Sequence, residues 1–161
     1  MKFCGQQSCK IDANGRVKLS SRFHDDFREG GENLILHCLP EGALGVYSKS
    51  VWAQMRQGEP RPATKAASSV VFRRQLRRFG ALSQPEKLTK QGRITIPPQF
   101  RELLNLVPGT DAVIVGTEMG VEIWQQSRWD EEFNTLHAHE LKRAEAEMAA
   151  DLRKGGINDG N

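Results

Sequence analysis

No stretch of this 161-residue chain approaches the roughly 18 consecutive apolar residues that a membrane span requires. The opening Met1-Lys2-Phe3-Cys4 is not followed by the apolar core of a secretory signal. The expectation is a soluble cytoplasmic protein. Cysteine is scarce: Cys4, Cys9 and Cys38 are an odd number without an export signal, which argues for reduced thiols rather than a disulfide framework. Those cysteines with His37 fit no standard zinc-knuckle spacing. Enzyme signatures are missing too. There is no Walker loop, no G-x-G-x-x-G and no HExxH, and His24, His37, His137 and His139 stand at no recognisable spacing from a nucleophile. The reading is not an enzyme, with no cofactor, no metal and no small-molecule substrate.

The chain does contain a repeat. Lys10-Ile11-Asp12-Ala13-Asn14-Gly15-Arg16-Val17-Lys18-Leu19-Ser20-Ser21-Arg22-Phe23 matches Lys87-Leu88-Thr89-Lys90-Gln91-Gly92-Arg93-Ile94-Thr95-Ile96-Pro97-Pro98-Gln99-Phe100 at an offset of 92 − 15 = 77. The same offset, without a gap, pairs Glu41 with Glu118, Val46-Tyr47 with Ile123-Trp124, Ser50 with Ser127 and Trp52 with Trp129. One unbroken offset over such a span marks an internal duplication. Each half is small for an independent core, so the two are expected to share one.

Within each repeat the apolar residues alternate around a glycine. Ile11 precedes Gly15, with Val17 and Leu19 after it; Leu88 precedes Gly92, with Ile94 and Ile96 after it. Period two around Asn-Gly predicts a hairpin with a type I′ turn, and Gln91-Gly92 is a weaker version. Pro97-Pro98 stops a strand and opens a helix, while Ser20 or Ser21 caps its counterpart. Gly30-Gly31 and Pro108-Gly109 end those helices. A second hairpin flanks Pro40-Glu41-Gly42 in one repeat and Glu118-Met119-Gly120 in the other, and helix starts follow at Ser48 and Ser127. Between the repeats one inserted helix is predicted from Thr64 to Phe79, with Phe72, Leu76 and Phe79 on one stripe. Its Arg73, Arg74, Arg77 and Arg78 read first as a solvated face or ion-pair donors, and second as DNA contacts. After Phe133 a polar helix runs to Arg153, and Gly155 to Asn161 reads as a disordered tail.

The charge of +3 and pI near 8.9 are mildly basic and only suggestive of a nucleic-acid partner. Position carries more weight. Arg16 and Arg93 leave the glycine turn at the same place in both copies, and Lys10, Lys18, Lys87 and Lys90 surround the turns. Two-stranded ribbons of this kind can enter a major groove, where Arg reads guanine and Lys neutralises phosphate. Two repeats would present two such ribbons. A purely structural role, with Arg16 pairing to Asp12, would explain one copy.

The motifs Asp12-Ala13-Asn14-Gly15-Arg16 and Thr89-Lys90-Gln91-Gly92-Arg93-Ile94-Thr95-Ile96-Pro97-Pro98, with Val46-Tyr47…Trp52 and Glu122-Ile123-Trp124…Trp129, resemble the paired signatures of the MraZ family over about residues 1–135. The resemblance implies an α+β fold, mainly β with helices. More specifically, it implies a tandem-repeat swapped-hairpin β-barrel of the AbrB-like, double-split type. It also implies ring-shaped homo-oligomers and sequence-specific binding of double-stranded DNA at promoter repeats. The regulated genes would be the division and cell-wall cluster, including the protein's own promoter, and the location nucleoid-associated. On this reading Arg16 and Arg93 are the base readers, Lys10, Lys18, Lys87 and Lys90 are phosphate contacts, and Asp12 orients Arg16. The sequence departs from the family pattern at Thr89, where an Asp is usual, and at Leu19-Ser20, where Ile-Pro is usual.

The expected domains are repeat 1 over 1–55, a linker with the inserted helix over 56–81, repeat 2 over 82–130, and a polar C-terminal helix with a flexible tail over 131–161. The alternative is an AbrB-fold interaction module such as an antitoxin; a charged segment after Phe133 without apolar anchors counts against it. Purified protein is expected to carry no stoichiometric zinc by elemental analysis and to keep its circular dichroism in EDTA. Stoichiometric zinc together with unfolding in chelator would reverse that expectation.

Overall fold

Two antiparallel hairpins form the centre of the sheet, because each pairs near-continuously buried, largely apolar strands across a short glycine-containing loop. The computed structural model describes residues 1–158. In it β3 (Asn33–Cys38) pairs with β4 (Leu44–Ser48), and β7 (Asp111–Gly116) pairs with β8 (Val121–Gln125). The hairpins join through β4 and β8, with Leu44 opposite Ile123 and Val46 opposite Val121. Helices α1 (Ser21–Phe27) and α5 (Pro98–Leu104), and α2 (Lys49–Met55), stand at the ends of strands in both halves. Ser20 caps α1 by accepting from the Phe23 N–H, and Ser48 caps α2 by accepting from Val51. α5 ends at Asn105 in the left-handed conformation, φ 57°, rather than at Pro108-Gly109: Asn tolerates positive φ and so terminates the helix earlier.

The glycine turns form, but the arms leaving them do not pair with each other. β1 (Gln6–Lys10) lies on β7, and β5 (Ser83–Lys87) lies on β3. β2 (Arg16–Lys18) pairs with β6 (Arg93–Thr95). Each half therefore completes the other's sheet. The ladders run β1-β7-β8-β4-β3-β5, with β2-β6 separate. The fold is mixed α+β with antiparallel strands, and among the described residues these ladders do not close into a barrel. The turn type also differs from expectation. Asp12 O accepts from Gly15 N–H at 3.0 Å and Asp12 N–H donates to Arg16 O at 2.9 Å, while only Gly15, not Asn14, has positive φ. That is a type I turn with a left-handed glycine after it, the three-residue form. The Asp12 side chain satisfies the N–H groups that a type I′ turn would handle differently.

One core draws on both halves. Ile11, Val17, Leu19, Phe23, Phe27, Leu34 and Leu36 pack in the same cluster as Leu88, Ile94, Ile96, Phe100, Leu104 and Ile114. Truncating a fully enclosed member such as Ile94 costs about 2–5 kcal/mol.

The inserted helix is two helices. α3 (Pro62–Ser68) stops at Ser69, whose extended backbone (φ −115°, ψ 116°) breaks the run and whose hydroxyl then caps α4 (Val70–Ala81) through the Phe72 N–H at 3.1 Å. Ser competes for local hydrogen bonds, so it favours a helix start over a helix interior. Outside the sheet, Phe79 of α4 stacks on His37 at 5.0 Å, Trp52 of α2 lies 5.1 Å from the same imidazole, and the Arg56 guanidinium sits 3.9 Å above Phe79.

The described residues form two units, the first Met1–Gln126 and the second from Ser127 onward. α6 (Gln126–Asn158) is 33 residues, about 50 Å of helix. It continues through Gly155-Gly156, where a disordered tail was expected: isolated glycines weaken a helix by about 1 kcal/mol each without ending it. The remainder of that expected tail, 159–161, lies outside the described residues. α6 also carries exposed Leu136, Leu141, Met148 and Leu152, so the segment after Phe133 does have apolar side chains. No described helix is long and apolar enough to cross a membrane.

His37 is buried, and its Nδ1 lies 2.8 Å from the Ser83 hydroxyl. Burial, then the nearby Arg78 and Arg56 charges, lower its pKa from the ordinary 6.5. The folded state thus binds a proton less readily than the unfolded chain. The stability contributed by neutral His37 is full above about pH 6.5 and declines as pH falls through that value toward the lowered one. Thermal unfolding between pH 7.5 and 5 is expected to show a midpoint falling with pH, and His37→Phe is expected to reduce that slope. An unchanged slope in the variant would assign the effect elsewhere.

Candidate nucleic-acid interface

The ribbon β2–β6 is three residues per strand, with Arg16 opposite Thr95, Val17 opposite Ile94 and Lys18 opposite Arg93. Val17 and Ile94 point into the core, 1% and 0% exposed. Alternation then places Arg16, Lys18, Arg93 and Thr95 together on the outer face. Hydrogen bonds from Leu19 N–H to Gly92 O and from Ile96 N–H to Gly15 O close the ribbon at both ends. These fix Lys18–Arg93 as a non-hydrogen-bonded pair, the closer of the two cross-strand spacings. Like charges directly opposite repel, and among the described residues neither side chain has an anionic partner.

The two turns differ in how they hold their arginine. Asp12 Oδ1 accepts from the backbone N–H of Asn14 and of Arg16, both at 2.9 Å, and Oδ2 accepts from Arg16 Nε at 3.0 Å. The Arg16 N–H, then those of Asn14 and the guanidinium, hold the Asp12 carboxyl below its ordinary range against a partial desolvation cost. The carboxylate stays charged, and among the described residues the terminal amino groups of Arg16 have no hydrogen-bond partner. Thr89 imitates only the backbone part of this, accepting from Arg93 N–H at 2.9 Å through its hydroxyl. The Arg93 guanidinium has no side-chain partner among the described residues.

The other expected contacts are more dispersed. Lys10 lies on β1 opposite Asp111 and forms an exposed ion pair with it at 3.5 Å. Lys87 is exposed on β5 opposite Asn33. Lys90 is exposed inside the second turn, beside a cleft lined by His24, Arg28 and Glu32. Thus Arg16, Lys18 and Arg93 come together on one ribbon shared by both halves, not on two ribbons, and Lys10, Lys87 and Lys90 stand outside it. Burial pushes the Cys9 and Cys38 thiols up to about 11, which leaves them protonated and weak as ligands near neutral pH.

Two residues beyond the expected set hold the turns. A Cβ on Gly15 (φ +75°) would lie 2.1 Å from the Arg101 guanidinium carbon, and one on Gly92 (φ +79°) would lie 3.1 Å from His24 Nδ1. Arg101 Nε donates to Ile96 O at 2.6 Å while Ile96 N–H donates to Gly15 O at 2.9 Å. Each turn is thus backed by a helix residue of the other half, and 101 − 77 = 24 makes His24 and Arg101 counterparts. The offset was the available signal, but only strand exchange reveals which turn each one touches. Gly15→Ala and Gly92→Ala both incur the left-handed penalty of about 1–2 kcal/mol. Gly15→Ala also dislodges Arg101, forfeiting a hydrogen bond worth about 1 kcal/mol. Thermal denaturation is expected to show the larger loss for Gly15→Ala, and the gap is expected to close in an Arg101→Ala background. A gap that persists there would remove Arg101 from the account.

A family model described as "MraZ protein, putative antitoxin-like" matches residues 84–152. The chain is similar to proteins named "Transcriptional regulator MraZ" in several bacteria. That of Desulforapulum autotrophicum is 33% identical over 139 residues, covering 86% of this chain and 90% of the relative. That of Lachnoclostridium phytofermentans is 33% identical over 130 residues, covering 80% and 84%. That of Mycobacterium ulcerans is 30% identical over 151 residues, covering 93% and 99%.

Proposed function

The chain belongs to the MraZ family, and on that premise we propose that it is a transcriptional regulator that binds double-stranded DNA sequence-specifically through the β2–β6 ribbon. The observation that carries the reading is the register setting Lys18 against Arg93, with Arg16 on the same face and, among the described residues, no carboxylate neutralising that pair. Arg16 and Arg93 read base edges; Lys18, and at the margins Lys10, Lys87 and Lys90, contact phosphates. Asp12 orients Arg16. The targets are promoter repeats upstream of its own gene in the division and cell-wall cluster. The active form is a ring-shaped homo-oligomer in the cytoplasm, associated with the nucleoid.

The same reading divides the chain into SpoVT–AbrB-type repeats over 1–55 and 82–130, an insert over 56–81, and a C-terminal segment over 131–161. The exchange of β1 and β5 between hairpins supports a swapped-hairpin barrel as the family architecture. A second reading, a protein-interaction module, is favoured by the exposed apolar residues of α6. It leaves DNA affinity indifferent to the ribbon arginines.

Arg16→Ala is expected to retain fold and oligomer size and to lose about 1–3 kcal/mol of preference for the upstream DNA over a scrambled duplex per bidentate base pairing removed. Arg93→Ala is expected to lose less, because Thr89 leaves its guanidinium unoriented. Fluorescence anisotropy on both duplexes, with light scattering for size, decides the matter. Equal losses on the two duplexes for Arg16→Ala would show that it does not read bases.

A further inference from the structure

Between Glu59 and Glu86 the chain has no Asp or Glu, yet it carries Arg61, Lys65, Arg73, Arg74, Arg77 and Arg78. The whole chain is +3, so everything outside this segment sums to 3 − 6 = −3. The net positive charge resides in the insert. Its cations divide by what they touch. Lys65 is neutralised by Glu59 at 2.9 Å. Arg73 donates to Ala66 O at 2.9 Å, tying α4 to α3, and Arg78 donates to Cys38 O at 3.1 Å, tying α4 to β3. Arg74 and Arg77 are exposed and, among the described residues, have no acceptor. At i and i+3 they share one helix face.

We infer that this outer face of α4, presented by Arg74 and Arg77, is a second, sequence-independent phosphate-contacting surface that lengthens the DNA footprint beyond the ribbon; the inference rests on the DNA-binding reading above. Guanidinium groups without a local carboxylate are phosphate partners by charge and fork geometry. The connection has the right reach. From Arg77 to Leu82 is about 8 Å of helix at 1.5 Å per residue. From Ser83 through β5 to Lys90 is at most about 23 Å of extended chain. The sum to Lys90, in the turn that leads into β6, stays within the ~34 Å of one duplex turn, so the α4 face and that turn can follow one stretch of backbone. A two-fold contact between copies through this face would oppose like charges, since an isologous interface sets each patch against itself.

The test is the double variant R74Q/R77Q of the full chain, titrated against its upstream DNA and a scrambled duplex across a salt series. The expected result is a log–log salt slope shallower by about 0.9 for each phosphate that is no longer neutralised. Affinity for both duplexes should fall by the same factor, with their ratio and the particle size unchanged. R74K/R77K should restore most of the slope, because charge rather than fork geometry sets counterion release. An unaltered slope overturns the inference. So does a smaller particle, which would place the two arginines between subunits. Wild-type protein that binds neither duplex overturns both this and the ribbon reading. Loss of duplex preference in Arg16→Ala beside an unchanged slope in R74Q/R77Q overturns this inference alone.

Discussion

The backbone groups of the strands that leave each glycine turn have to be paired, and in this chain they find their partners in the other half. β1 needs β7, β5 needs β3, and β2 needs β6. A strand edge left open is costly when buried and sticky when exposed. Either half alone would leave two strands, β1 and β2 or β5 and β6, without any partner. The single core follows from the same exchange, since Val17 and Ile94 are brought face to face only by pairing β2 with β6. Duplication here does not give two domains joined by a linker. It gives one layered unit in which each copy is a component of the other.

The exchange also builds the basic face. Two separate turns would each display one arginine. Pairing across the halves sets Arg16, Lys18 and Arg93 together on one face of a ribbon of three residues per strand. The halves are not equal in finish. Asp12 grips both the turn backbone and the Arg16 guanidinium, whereas the Thr89 hydroxyl reaches the backbone alone. His24 and Arg101 extend the inequality: Arg101 braces the first turn through a hydrogen bond, and His24 rests against the second. Pre-organisation is therefore graded across one ribbon.

The insert shows how a single helix can serve two physical ends. Its apolar stripe and two of its arginines are used in docking, Phe79 on the His37–Trp52 pair and Arg78 on the carbonyl of Cys38. Helical periodicity places Arg74 and Arg77 away from that apolar stripe, between Arg73 and Arg78 on the same side of the helix. Burial of His37 beneath this layer, with the Arg78 and Arg56 charges nearby, disfavours a protonated imidazole there.

By itself the sequence determined whatever depends on near neighbours. Period-two alternation placed the strands on either side of Gly15 and Gly92. The Pro-Pro and Ser signals placed the helix starts, and the offset of 77 revealed the duplication and the matched arginines. Those features are local because steric limits on φ and side-chain alternation act over a few residues. What the tertiary structure decided were the choices between partners that look alike from the chain. Asn-Gly suggested a closed hairpin, but the arms went to another half, since an identical apolar phase in both copies cannot say which copy a strand pairs with. The division of the insert at Ser69, and of its arginines into those that donate to a backbone carbonyl and those without an acceptor among the described residues, depended on which carbonyls lay within reach. The backing of Gly15 by Arg101 and of Gly92 by His24 arose because exchange carries each helix to the other turn, across separations that no local pattern encodes.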